Sequence, residues 1–167
     1  AERVRLKALQ RKTKARRWNE VLALYRDGDS AAYQCMRLRA VYHTQDKTKA
    51  LEQVKPIWLT GASRPKDCDS LFATWRQAGY QTPQLTWQRI ALAMDNGKRS
   101  LARYLARSLP ADQQRDFDYW YQLYRQPDRL SNKRYWRSEH PLKPVMIPIV
   151  MGRLFSKNPD KAVTLWP

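Results

Sequence analysis

Glycine is scarce in this 167-residue sequence. Only five are present, each read here as standing near a helix boundary. That scarcity argues against glycine-rich phosphate-binding loops and for a chain made mostly of helices. No apolar run approaches the roughly 18 residues that a membrane-spanning helix needs, so no span is expected. Histidine and cysteine are rarer still, with two of each. His43 and His140 lie far apart and neither has a partner at metal-ligand spacing, so no zinc site and no other cofactor is expected. Cys35 and Cys68 are 33 residues apart. The residues alone leave two readings of them open: a pair of small, apolar buried thiols, or a disulfide in an oxidising compartment. A signal peptide with a charged start and an apolar middle is not seen, and the first residue is not methionine. The expectation is therefore an excised piece of a longer chain.

Acidic residues are also few, 15 against 32 lysines and arginines, for a formal charge of +17. A surface that basic attracts polyanions: nucleic acid, acidic membranes, or a cell-wall polymer whose peptides carry carboxylates. The rest of the composition is that of a folded chain, with 43% hydrophobic residues including seven tryptophans and nine tyrosines.

The apolar residues recur at helical spacing. Cys68, Leu71, Phe72 and Trp75 fall at i, i+3, i+4 and i+7, and so do Trp87, Ile90, Ala91 and Met94. Leu101, Leu105 and Leu109 repeat every fourth residue. Gly61, Gly79 and Gly97 stand where helices would close, and Thr82-Pro83 reads as an N-cap followed by proline at the first helical position. Before this stretch, residues 1–17 form a basic helix, Trp18 to Tyr25 a second stripe, and Ser30 opens a third helix to about His43. Asp46 is placed to cap a helix to Thr60 that Pro56 should kink or split. Beyond it, Phe117, Trp120, Tyr121 and Tyr124 make one more stripe, and Ile147, Val150, Met151 and Leu154 the last full one. Pro148 fits that last stripe only in a first helical turn. Asn158 starts a final helix. The expected fold class is all-α, a right-handed superhelix of irregular helix hairpins.

Several uncommon residues in the middle of the chain carry a resemblance. Leu59-Thr60-Gly61, then Cys68-Asp69-x-Leu71-Phe72-x-x-Trp75, then Arg89-Ile90-x-Leu92-Ala93-Met94 and Leu109-Pro110-Ala111-Asp112 resemble the soluble lytic murein transglycosylases of Gram-negative bacteria. The similarity runs closest from about residue 57 to 114 and lies in the family's long non-catalytic region, where helix pairs curl into a U. It implies that residues 1–167 are a fragment of one superhelical domain whose lysozyme-like catalytic domain lies outside this chain. It implies a periplasmic location, peptidoglycan glycan strands and that catalytic domain as partners, and a Cys35–Cys68 disulfide, since the family carries the same pair at this spacing. The parent activity it implies is cleavage of MurNAc–GlcNAc bonds to 1,6-anhydro-muramoyl ends by a single glutamate acting as acid, then base.

That chemistry has no counterpart in these residues. Glu2, Glu20, Glu52 and Glu139 all lack the serine that follows the family's catalytic glutamate, and Asp116 and Asp118 flank Phe117 on different sides of a helix. No catalytic residue is expected. The candidate polyanion- or glycan-binding residues are Arg129, Lys133, Arg134, Trp136 and Arg137, a basic run interleaved with aromatics between Pro127 and Pro144. The bland alternative is a short helix with its aromatics in the core and its bases in water. The function expected is a scaffold that supports and guides glycan strands. The alternatives are a basic α-solenoid that binds nucleic acid and a protein-interaction module.

Overall fold

In a computed structural model, residues 1–166 are described, and among them every regular element is helical. The chain divides into two compact units, residues 1–85 and 86–167.

The first unit holds α1 (Glu2–Lys14), α2 (Trp18–Leu24), α3 (Ala31–Thr44), α4 (Lys47–Glu52), α5 (Lys55–Trp58), a 3-10 turn (Lys66–Cys68) and α6 (Asp69–Gln77), and ends within α7 (Pro83–Asp95). Leu9 of α1, Val21 of α2 and Met36 and Ala40 of α3 meet in one fully buried cluster, flanked by Trp18, Leu22, Leu24, Tyr25 and Tyr33. The basic N-terminal helix is thus amphipathic, with Leu9 inward and most of its charges outward; the Arg5 side chain instead turns in to Asp29. Pro56 does split the helix expected from Asp46 to Thr60: α4 stops at Glu52 and α5 restarts at Lys55. The inward side is kept through the break, since Ala50, Leu51, Val54 and Trp58 are all buried. Asp46 caps α4 by accepting the Lys49 N–H at 3.0 Å. Cys68, Leu71, Phe72 and Trp75 are buried as their spacing requires. Cys35 and Cys68 form a disulfide that fastens α3 to the start of α6.

The second unit takes the remainder of α7, then α8 (Arg99–Ala106), α9 (Ala111–Arg125), a second 3-10 turn (Pro127–Ser131), α10 (Lys133–Arg137), α11 (Lys143–Lys157) and α12 (Pro159–Leu165). Thr82 caps α7 by accepting the Leu85 N–H at 3.1 Å, and Asn158 caps α12 through Lys161 N–H at 3.1 Å. Phe117, Trp120 and Tyr124 of α9 are buried, as are Ile147, Val150, Met151 and Leu154 of α11.

Two readings from spacing are corrected here. Pro148 lies inside α11, more than a turn beyond its start, and not in a first turn. It is exposed, and the buried stripe on the other side holds the helix together across it. Gly152 also sits within α11 and marks no boundary. Gly79 and Gly97 do what their positions suggest. Each has a positive φ (85° and 68°) at the residue that turns the chain out of α6 and α7.

Candidate functional site

The run from Pro127 to Pro144 folds as the second 3-10 turn, α10 and an irregular lead into α11. Asn132 starts α10 by accepting the Arg134 N–H at 3.0 Å. Five residues make barely more than one turn, so tertiary anchors must hold this helix. The aromatics supply them. Tyr135 is buried at 3% exposure and packs against Tyr119 of α9 with ring centroids 5.7 Å apart. Trp136 is half-buried, and its indole N–H donates to the Leu130 carbonyl at 2.8 Å. The Lys143 ammonium donates to the Trp136 carbonyl, tying the segment to α11.

The bases go the other way. Arg129, Lys133, Arg134 and Arg137 are all exposed. Arg134 lies over the Tyr135 ring at 4.8 Å and donates to its hydroxyl at 2.9 Å, which holds the guanidinium above its usual range. The five candidates are therefore neighbours, with unequal roles. Four are cations on a surface, and Trp136 is a brace for the backbone. The surface has the charge to attract a polyanion, while Tyr135 and Trp136 serve first to pack and anchor the segment.

Beside it, His140 joins this segment to α9. Its Nδ1 accepts the Trp120 indole N–H and the Leu142 N–H, each at 3.2 Å, and its Nε2 lies 3.1 Å from Asp116. With Nδ1 accepting, the proton belongs on Nε2, directed at the carboxylate. The spacing of His140 gave no hint of this bracing role. Asp118 is exposed and far from acting as a partner to Asp116.

The carboxylates elsewhere are similarly placed. Glu2 pairs with Arg5, and Glu20 with Lys12 and Arg17. Hydrogen bonds from these cations hold both acids below the usual carboxylate range, the reverse of what a general acid needs. Glu52 and Glu139 are exposed. Among the described residues no group of three or more His, Cys, Asp or Glu side chains is arranged to hold a metal ion. Nor is any helix among them long and apolar enough to cross a membrane.

A second gathering of cations and aromatics, in the first unit, escaped the reading of the sequence. Its members come from separate elements. Trp18 of α2 stacks on His43 of α3, with centroids 4.8 Å apart and planes 10° from parallel. The Arg39 guanidinium lies 5.5 Å over the same Trp18 ring. Burial first, then the nearby Arg39, Arg16 and Lys47 charges, holds the His43 imidazole below its ordinary value.

Comparison with known proteins gives two separate findings. A family model described as cucumovirus coat protein matches residues 29–124. The soluble lytic murein transglycosylase of Escherichia coli K12 is 42% identical over 81 residues, and that of Salmonella typhimurium 41% over 81 residues. Each of these covers 48% of this chain. The 70-kDa soluble lytic transglycosylase, solved in complex with bulgecin A, superposes over 99% of this chain with a TM-score of 0.79 and 25% identity. An inactive mutant of lytic transglycosylase Slt from Pseudomonas aeruginosa superposes over 98% with a TM-score of 0.87 and 23% identity. The chain spans 13% of the length of those curated relatives and 27% of the solved chains. Sequence identity and backbone superposition converge on one group of proteins. The coat-protein match stands apart from both, and the segment it covers folds here as α3 to α9, a run with no strand.

Proposed function

Because this chain belongs with the soluble lytic murein transglycosylases, we propose that its residues 1–167 are part of the superhelical scaffold region of such an enzyme. In this reading the parent protein works in the periplasm and cuts MurNAc–GlcNAc bonds of peptidoglycan to 1,6-anhydro-muramoyl products. The acid–base glutamate lies in a C-terminal domain outside these residues. This segment performs no cleavage; it supports that domain and guides glycan strands along a basic surface.

The observation that carries the reading is the superposition over 98–99% of the chain on the two solved enzymes. The net charge of +17 fits a polymer bearing free peptide carboxylates. A disulfide between α3 and α6 suits an oxidising compartment. The nucleic-acid reading has less behind it, since Tyr135 is buried and the Trp136 N–H is engaged by backbone. The test is sedimentation with purified sacculi. The chain should pellet with them, be released by salt, and yield no soluble anhydro-muropeptides. Release of such products by the isolated chain, or failure to sediment at low salt, would refute the proposal.

A further inference from the structure

Three helices of this protein end in the same backbone motif. At the ends of α6 and α7, the N–H groups of Gly79 and Gly97 donate to the carbonyls of Arg76 and Met94, both at 3.0 Å. The next residues, Tyr80 and Lys98, reach back to Trp75 and Ala93. The end of α1 repeats the pattern, with Arg16 N–H to the Thr13 carbonyl at 3.1 Å and Arg17 N–H to Lys12 at 2.9 Å. This is the helix end that calls for a left-handed residue, normally glycine. At α1 it is filled by Arg16, with φ 54°, the only non-glycine residue of positive φ among those described. A strained residue persists where something other than backbone comfort keeps it, so the side chain is the place to look.

That side chain lines a cleft of about 410 Å³ with Gln10, Thr13 and Lys14 of α1, Met36 and Arg39 of α3, and Asp67. Arg39 is half-buried, and among the described residues no carboxylate lies within ion-pairing distance of Arg16, Lys14 or Arg39. Three cations thus face one exposed carboxylate, Asp67, and the surplus is positive. Arg39 responds to it, held below its ordinary range first by burial and then by Arg16, with Asp67 opposing. The walls are fixed. Cys35 lies one turn before Arg39 on α3, and Cys68 directly follows Asp67, so the disulfide ties the two sides together. Arg39 also borders Tyr42 and His43, and Arg16 borders Trp18, so an aromatic face adjoins the charge.

We propose that Arg16, Lys14 and Arg39 form an oxyanion site that takes a carboxylate of the peptidoglycan polymer, with the Trp18–His43 stack as the flanking apolar face. Paired guanidiniums suit two-oxygen anions, and inorganic phosphate shares that chemistry. The choice of polymer rests on the scaffold reading above; the site itself does not.

The experiment is an NMR titration of the full chain with N-acetyl-D-alanyl-D-alanine, which ends in a carboxylate as the polymer's peptides do, and with its C-terminal amide, which does not. The acid should move the Arg16 and Arg39 amides and raise the His43 titration midpoint, because the anion offsets the Arg39 and Arg16 charges that, after burial, hold it down. The amide should do neither. Arg16→Gly should keep or raise the denaturation midpoint, since glycine suits the left-handed position, yet weaken binding of the acid about tenfold or more. Arg39→Gln should weaken it similarly. Equal responses to the two ligands, or unchanged affinity in Arg16→Gly, would overturn the site. Phosphate bound with the acid ignored would overturn the assignment to the polymer. In a salt series with sacculi, the Arg16→Gly, Arg39→Gln double variant should be released at lower salt than a control with Arg3→Gln and Lys7→Gln, which sheds the same charge from exposed positions. Release of both at the same salt would mean that the site fails and the scaffold reading stands. Binding of the acid by a chain that sacculi do not retain at low salt would sink the scaffold reading and leave the site.

Discussion

At the scale of single residues, two polar contacts show how differently a hydrogen bond weighs with its surroundings. The Tyr124 hydroxyl, almost wholly buried, donates to the Met94 carbonyl at 2.9 Å near the end of α7. That carbonyl also accepts from Gly97 N–H, so it keeps a partner if the hydroxyl is removed. Tyr124→Phe should therefore cost only about 0.5–1.5 kcal/mol, read as a lowered denaturant midpoint with unchanged slope. Asp29 tests the charged case. The Arg5 guanidinium donates to both its oxygens and to the Leu24 carbonyl, holding α1 to the turn after α2. That guanidinium above all holds Asp29 below the usual carboxylate range; burial opposes it, and the Arg26 N–H adds a smaller lowering effect. A lowered folded value means that the stabilisation is complete above the unfolded value, near pH 4, and is lost as pH falls through the folded one. Asp29→Asn should be less stable than the parent at pH 7, and the gap should close below about pH 4 in acid titrations followed by circular dichroism.

Between residue and whole lies the question of which elements stand alone. α10 has five residues and α4 six, too short to persist without neighbours. α10 leans on Tyr135 and Trp136; α4 leans on Ala50 and Leu51, and on the Asp46 cap. The disulfide acts on elements in the same way. It closes a loop of 33 residues in the unfolded chain, which by loop entropy amounts to about 3–4 kcal/mol. Its partners, α3 and the start of α6, both lie in the first unit. Reductant should therefore speed amide exchange within residues 1–85 while residues 86–166 keep their protection. Equal loosening of both halves would show that the bond serves more than its own unit. Some of these elements were legible beforehand. Thr82, Asp46 and Asn158 announce helix starts because their side chains compete for the first free N–H groups. Pro148 misled, since an interior proline costs a helix about 3 kcal/mol or more, and a buried stripe of four residues at about 1.5–3 kcal/mol each outweighs it.

For the molecule as a whole, net charge is the feature that reaches beyond contact distance. A surface carrying +17 is drawn to any polyanion through released counterions, so retention on sacculi should fall steeply with salt. If the Arg16–Arg39 cleft contributes a specific term, a residue of binding should outlast the general attraction, because the half-buried Arg39 is screened less than exposed charges. Sedimentation across a salt series reads both. From sequence alone came the helical class, most helix starts, the buried stripes and the sign of the charge, because each depends on residues close in the chain or on simple addition. Folding decided the rest: that Trp136 braces backbone, that His140 clasps Asp116, and that Arg16, Trp18, Arg39 and His43 meet. Those depend on residues far apart in sequence approaching within a few ångströms, and on an arginine held in a backbone conformation that its identity argues against.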